Sequence, residues 1–210
     1  LFLTFVALTI GDYQFKAIAR ARWQEDDLAR FFSLFYAGTG ALSFVFQIAA
    51  TPRILARWGV SWGMAAMPAV FGGASAGLLA APSVLFASAM KFADNGFQYT
   101  IHDTTLQTLY VPFPPQRKAR TRAFLEAVVK PIAYGAGGLL LVLLAGRMQV
   151  HDLAFVTLPL VAAWLLLIPL VRRRYLATLQ ATLGARGALA LGEAPALDAP
   201  GRRVLVDALA

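Results

Sequence analysis

The chain has 210 residues, of which 59% are hydrophobic and only 14% are charged. In soluble domains about a quarter of the residues are charged, so this composition indicates an integral membrane protein and excludes an ordinary soluble domain. The chain contains no Cys, which excludes a disulfide framework and thiolate metal sites. The net charge of +8 is typical of a membrane protein with basic cytoplasmic loops, so we predict no nucleic-acid partner.

Six segments are long and apolar enough to be spanning helices, each of which needs about 20 residues. The predicted helices, first to sixth, cover residues 1–19, 31–50, 60–80, 84–110, 119–145 and 153–171. Pro52, Pro82 and the PFPP run at 112–115 predict three of the breaks between them. Because Leu1 opens inside an apolar run without a Met, we expect the chain to be a piece of a longer protein.

Basic residues predict the orientation of these helices, because Lys and Arg concentrate in cytoplasmic loops. They are most frequent in alternate loops and after the sixth helix, at Arg53, Arg57, Arg117, Lys118, Arg120, Arg122 and Arg172–Arg174. Both ends of the segment are therefore expected in the cytoplasm, with the bacterial inner membrane as the location. Six helices in this orientation form one half of a common 12-helix transporter plan. We predict an all-α integral membrane fold, in which residues 1–175 are a six-helix half of a major facilitator-like bundle.

The remaining residues, 176–210, have a different composition. The stretch YLATLQATLGARG is expected to continue as an amphipathic cytoplasmic helix. GALALGEAPALDAPG is rich in Ala, Gly and Pro, which predicts a flexible linker. GRRVLVDALA then predicts a further helix, which could be the start of a soluble domain.

Four of the six predicted helices carry a stripe of polar residues on one face of the helical wheel. The stripes consist of Thr9, Asp12 and Lys16; Tyr36, Thr39, Gly40, Ser43 and Gln47; Lys91, Asp94, Asn95, Gln98, His102 and Thr105; and Arg122, Glu126, Lys130, Tyr134 and Gly137. The third and sixth helices have no stripe, so the polarity pattern repeats after three helices. Repeats of three within a six-helix half are the plan of major facilitator transporters.

Polar stripes that faced lipid would be costly, so we expect the four stripes to converge on a cavity. Acid and base recur in them at helical spacing, as Asp12 with Lys16, Lys91 with Asp94, and Glu126 with Lys130. Each pair can neutralise itself when the cavity is empty, and each lysine can turn to an anion that enters. This pattern predicts an anionic substrate. The alternative is that the pairs only hold the helices together.

One segment carries a family resemblance: YTIHDTTLQTLYVPFPPQRKARTRAFLEAVVKPIAYGAGG, residues 99–138. It resembles the nucleotide (ATP/ADP) antiporters of plastids and obligate intracellular bacteria. Those proteins have a Ser-Leu-x-Asp run, an aromatic-x-Pro turn, a basic loop, and an acidic-Val-Val-x-x-Pro helix with a glycine pair. The matching positions are Ile101–Asp103, Tyr110–Pro112, the RKARTR loop, Glu126, Pro131 and Gly137–Gly138. Asp12, Phe15 and Lys16 are similar to an acidic residue, an aromatic and a lysine in the seventh helix of the family.

The resemblance covers residues 1–172, places them as helices seven to twelve, and implies exchange of ATP for ADP across a membrane. It implies that Lys16, Lys91 and Lys130 contact phosphates, that Asp12, Asp94 and Glu126 hold those lysines in the empty state, and that Tyr134 or Tyr36 stacks on the base. Gln47, Asn95 and Gln98 complete the predicted translocation path. The lysine that the family carries after its helix-eleven proline falls on Tyr134, and Lys130 is the candidate replacement. The implied partners are membrane lipid and an N-terminal six-helix half.

Two other functions fit the same pattern. The first is a facilitator transporter that couples another solute, such as a peptide, sugar or organic anion, to protons. The second is a membrane anchor or sensor for a C-terminal soluble domain. An enzyme is not predicted, because the sequence contains no nucleophile–base set, and neither a cofactor nor a metal is expected.

Overall fold

The computed structural model describes residues 1–102 and 115–192, and all the regular secondary structure in these ranges is helical. The first range contains α1 (Phe2–Arg22), α2 (Glu25–Val45), the π-helical segment π1 (Phe46–Ala50), α3 (Thr51–Ala80), α4 (Val84–Phe92) and π2 (Ala93–His102). The second contains α5 (Pro115–Phe124), π3 (Leu125–Val129), α6 (Lys130–Leu144) and α7 (Ala154–Gly192). The all-helical prediction is confirmed for the described part of the chain. The fourth predicted helix was to reach residue 110, and its last eight residues lie outside the described ranges.

Four helical stretches are long and apolar enough to cross a membrane, by length and composition: Glu25–Ala49, Trp62–Ala80, Lys118–Leu144 and Ala154–Arg174. They correspond to the second, third, fifth and sixth predicted helices. α1 and the described α4–π2 stretch are not among them. These two stretches carry Asp12, Lys16, Lys91 and Asp94, and each charge lowers the mean hydropathy of its helix. In the described residues, four of the six predicted spans therefore meet this criterion of length and composition.

Several predicted loops are helical. α2 begins at Glu25, six residues before the predicted start, because Glu25, Asp26 and Asp27 occupy its first turn. Carboxylates there interact favourably with the positive end of the helix dipole. α5 begins at Pro115 and contains the predicted basic loop RKARTR. Proline is favourable at the first position of a helix, and Lys, Arg and Ala are good helix formers.

The position of Pro52 predicted a break between two helices, but the structure has no break there. α2 passes through π1 directly into α3, and Pro52 occupies the second position of α3. The wider turns of a π-helix are a common way to accommodate a local irregularity within a longer helix. The break predicted at Pro82 is confirmed, because α3 ends at Ala80 and α4 begins at Val84, with Ser83 as its N-cap residue.

The chain divides into two compact units, Leu1–Arg172 and Arg173–Ala210. α7 begins at Ala154 and continues to Gly192, well past the predicted end at residue 171. The extension agrees with the helix expected for YLATLQATLGARG, and it includes the first residues of the predicted linker. The rest of that linker and the predicted start of a soluble domain lie outside the described residues.

α1 is the central helix of the first unit. Its residues Phe5, Ile10 and Phe15 are buried in the hydrophobic core, together with Met67 and Phe71 of α3. Close packing requires small residues at two points on or facing α1. A Cβ atom on Gly11 would lie 2.6 Å from a ring carbon of Phe71, and one on Gly137 of α6 would lie 2.8 Å from Thr9 Cβ. α1 therefore packs tightly against α6 and against the Phe71 ring of α3.

A buried hydrogen bond joins α3 to α7. The Oγ atom of Ser75 and the Oγ1 atom of Thr157 are 2.6 Å apart, and both residues are fully buried. Thr157 also donates to the carbonyl oxygen of Ala154 at 3.2 Å, so Ser75 is the donor to Thr157. Neither residue was predicted to matter, since neither belongs to a polar stripe.

We expect Thr157→Val to lower the free energy of unfolding by about 1–3 kcal/mol, because it leaves the buried Ser75 hydroxyl without a partner. Ser75→Ala should cost less, since Thr157 keeps its bond to Ala154. The double variant should be more stable than Thr157→Val alone. Thermal unfolding in detergent micelles measures all three, and strictly additive effects would show that the two hydroxyls do not interact.

Candidate functional site

Four charged residues form a continuous chain of ion pairs between α1 and the α4–π2 stretch. Lys91 Nζ lies 2.7 Å from Asp12 Oδ1 and 2.6 Å from Asp94 Oδ2, and Asp12 Oδ2 lies 2.6 Å from Lys16 Nζ. We call Lys16, Asp12, Lys91 and Asp94 the charge chain. It has no net charge when all four groups are ionised. Its exposure falls along its length, because the side chains of Lys16 and Asp12 are 55% and 30% exposed and those of Lys91 and Asp94 only 10% and 12%.

Helix packing brings the two halves of the charge chain together. The neighbour of Asp12 is Gly11, and the neighbour of Lys91 is Met90. A Cβ atom on Gly11 would lie 3.3 Å from the Met90 methyl group, so the absence of a side chain there lets α1 approach α4 closely. Asp12 and Lys91 are thereby placed within hydrogen-bonding distance across two helices.

Two of the three predicted pairs are present. Asp12 with Lys16 and Lys91 with Asp94 are both at 2.6 Å, as their spacings of four and three residues predicted. The bond between Lys91 and Asp12 was not predicted, since sequence spacing carries no information about contacts between distant helices. It makes Asp12 a shared partner of two lysines.

The third predicted pair, Glu126 with Lys130, does not form a direct ion pair in the described residues, although the two charges still interact electrostatically. Glu126 Oε1 instead accepts from Arg122 Nε at 2.9 Å, and both side chains are exposed. Lys130 Nζ lies 5.0 Å from the centre of the Phe5 ring, a cation–π contact. The segment between Glu126 and Lys130 is π-helical, and its wider turn removes the facing geometry that i,i+4 residues have in an α-helix.

The stripe of the fifth predicted helix contributes no residue to the charge chain. Tyr134 packs on the ring of Phe5, with their centroids 5.2 Å apart, and Phe5 is also the residue under Lys130. Gly137 contacts Thr9 on α1. These contacts place the stripe against the N-terminal half of α1. Its two remaining members, Arg122 and Glu126, form an exposed ion pair with each other.

The stripe of the second predicted helix lines an open cleft of about 350 Å³, which we call the polar cleft. Its walls are Tyr36, Thr39, Gly40, Ser43, Phe44 and Gln47 together with Asn95 of π2. Ser43 Oγ is shielded from solvent and has no hydrogen-bond partner in the part of the chain that the structure describes. Asn95 adjoins Asp94, and Gln98, one turn further along π2, is buried. Thr105, the last member of that stripe, lies outside the described residues.

A second opening, which the polar stripes did not predict, lies between α1 and α2. It has a volume of about 430 Å³ and is lined by Tyr13, Lys16, Ala17, Arg20, Phe32 and Tyr36. We call it the α1–α2 groove. The i,i+4 spacing of Lys16 and Arg20 indicates that the two cations share a helix face. It does not by itself indicate a binding site, because Arg20 falls in the last turn of α1, where a basic residue is common.

No family model, curated protein or solved structure matches the chain. The resemblance to nucleotide antiporters therefore rests on the motif residues named above. The geometry by itself describes a membrane-type helical protein that holds buried, paired charges next to an open polar cleft.

Proposed function

We propose that this chain is the six-helix half of a secondary transporter that carries an anionic solute across a membrane. The observation that carries the proposal is the charge chain, in which Lys91 holds two carboxylates, Asp12 and Asp94, between apolar helices. Ionisable residues inside membrane helices are costly, and they commonly mark the paths of substrates and ions. A structural ion pair needs only one acid and one base, whereas this chain ends at a lysine that is more than half exposed.

The connectivity of the charge chain suggests how a substrate could be coupled to a change of conformation. Asp12 is shared between Lys16 on its own helix and Lys91 on α4. An anion that binds Lys16 competes with Asp12 for that lysine, so Asp12 interacts more strongly with Lys91. The substrate then alters the tie between α1 and α4, which is the differential interaction that a ligand-driven transition requires.

A nucleotide is the proposed substrate, on the strength of the resemblance. The cleft next to the charge chain offers amide groups from Gln47 and Asn95, and a ring from Tyr36. Of the two tyrosines considered for base stacking, Tyr36 is the better candidate, because it lines the cleft and Tyr134 does not. Lys16 and Lys91 are better candidates than Lys130 for phosphate contacts, because they belong to the charge chain and Lys130 lies over the Phe5 ring.

The exposed faces of the helices are consistent with a membrane and a missing partner half. Thr39 is the only buried residue of α2, and Leu34, Phe44 and Ile48 of the Glu25–Ala49 stretch are each more than 60% exposed. On α6, Val142 is 79% exposed. Faces of this kind are expected against lipid or against an N-terminal six-helix half, with both ends of the chain in the cytoplasm of a bacterium.

Exchange in proteoliposomes tests the proposal. The full-length protein is reconstituted, and uptake of labelled ATP is measured with and without ADP inside the vesicles. We expect uptake of ATP to require internal ADP. In Asp94→Asn the rate of uptake should fall at least tenfold, because the variant has no carboxylate to neutralise Lys91. Arg147→Gln is the control, since it removes one charge from an exposed turn.

Three results of this assay would redirect the assignment. Collapse of uptake by a protonophore would favour a proton-coupled transporter. Uptake that ATP does not compete with would favour another solute. No uptake of any tested anion, by protein shown to be folded, would leave the anchor or sensor function as the better explanation.

A further inference from the structure

We propose that the α1–α2 groove is a binding subsite for an aromatic anion and holds the substrate beside the exposed end of the charge chain. This inference rests on the proposed function, since it names where an anionic solute is recognised and by which residues. It adds Tyr13, Arg20 and Phe32, none of which belongs to the charge chain or to the polar cleft.

Two cations line one side of the groove. Lys16 and Arg20 are one turn apart on α1, and residues with this spacing share a helix face. Lys16 is 55% exposed and donates to Asp12, which leaves its other ammonium protons free for a ligand. Arg20 is exposed and forms no ion pair with any residue in the described ranges. A guanidinium beside an ammonium is well suited to a phosphate or carboxylate, because its planar fork donates two parallel hydrogen bonds.

Aromatic rings line the rest of the groove, and the packing beneath them restricts their positions. The Phe32 ring lies 5.5 Å from the ring of Phe15, which is fully buried. The Tyr36 ring lies 6.3 Å from that of Phe32 and 5.6 Å from that of Phe35. Rings held in this way are preorganised to stack on a flat ligand such as a nucleobase.

The size and position of the groove agree with this ligand. Its volume of about 430 Å³ lies within the usual range for small-molecule pockets, about 300–1,000 Å³. Lys16 belongs both to the groove and to the charge chain, and Tyr36 lines both the groove and the polar cleft. A ligand in the groove therefore contacts the two features that the proposed function uses. An anion without a ring would engage the cations alone.

Binding of two anions that differ by a ring system tests the subsite. The full-length protein in lipid nanodiscs is titrated with ATP and with inorganic triphosphate by calorimetry, without divalent metal. We expect ATP to bind about tenfold more tightly than triphosphate. Arg20→Gln should weaken both anions about tenfold, whereas Phe32→Leu should weaken ATP only. Tyr36→Leu, at a ring that is 41% exposed, repeats the second measurement with less risk to folding.

Arg22→Gln is the matched control, because Arg22 is also an exposed arginine in the last turn of α1 but does not line the groove. Equal affinities for Arg20→Gln and Arg22→Gln would overturn the subsite. The subsite would also be overturned if ATP exchange were lost in Asp94→Asn but unchanged in Arg20→Gln and Phe32→Leu. That result would leave the proposed function standing. Absence of anion exchange by the wild-type protein would overturn the proposed function and the subsite with it.

Discussion

Lys91→Gln is expected to abolish exchange and to lower the free energy of unfolding by about 3–5 kcal/mol. Lys91 is the only cation within 4.0 Å of Asp94 in the described residues, and it is one of two that neutralise Asp12. Its removal leaves Asp94, whose side chain is only 12% exposed, as a buried carboxylate without a counter-ion. An uncompensated buried charge is the most costly result of breaking an ion pair.

Exchange in proteoliposomes and thermal unfolding in detergent micelles measure the two effects, with Arg147→Gln as the control for loss of one positive charge. The double variant Lys91→Gln/Asp94→Asn restores the neutrality of the charge chain. We expect it to recover much of the stability and none of the exchange. If the double variant exchanged ATP at the wild-type rate, the charge chain would only hold the helices together, and the transport role would be wrong.

Phe15→Ala should also destabilise the protein by about 3–5 kcal/mol, through a different mechanism. The Phe15 ring is fully buried between α1 and α2, with its centroid 6.0, 5.5 and 4.9 Å from those of Phe31, Phe32 and Phe35. Truncation to Ala removes three aromatic contacts and leaves a cavity. Association of membrane helices depends strongly on such van der Waals packing, because lipid is as apolar as the side chains.

The midpoint of thermal unfolding in micelles is the measurement for this variant. Phe2→Ala is the matched control, since Phe2 lies on the same helix but is 43% exposed. Phe15→Leu should fall between the two, because it retains part of the volume. Equal midpoints for Phe15→Ala and Phe2→Ala would contradict the packing of α1 against α2. Because Phe15 supports Phe32, Phe15→Ala should also reduce the preference of the α1–α2 groove for ATP over triphosphate.

Features that depend on local spacing could be predicted. The pairs Asp12–Lys16 and Lys91–Asp94 form as expected, because an α-helix places residues three and four apart next to each other. The same regularity failed for Glu126 and Lys130, where a π-helical segment intervenes and no residue type reliably signals it. Pro52 misled in a similar way, since it follows a π-helical segment through which the helix continues.

The amino-acid sequence by itself determined the helical, membrane-type character of the chain and the polar stripe on α2 that lines the cleft. These follow from composition and from periodicity along one helix. Only the tertiary structure decided that Asp12 bonds to Lys91, that Lys130 lies over Phe5, and that Arg20 shares a groove with Phe32. Each of these contacts joins different helices, and their relative position depends on packing at small residues such as Gly11, which no spacing rule encodes.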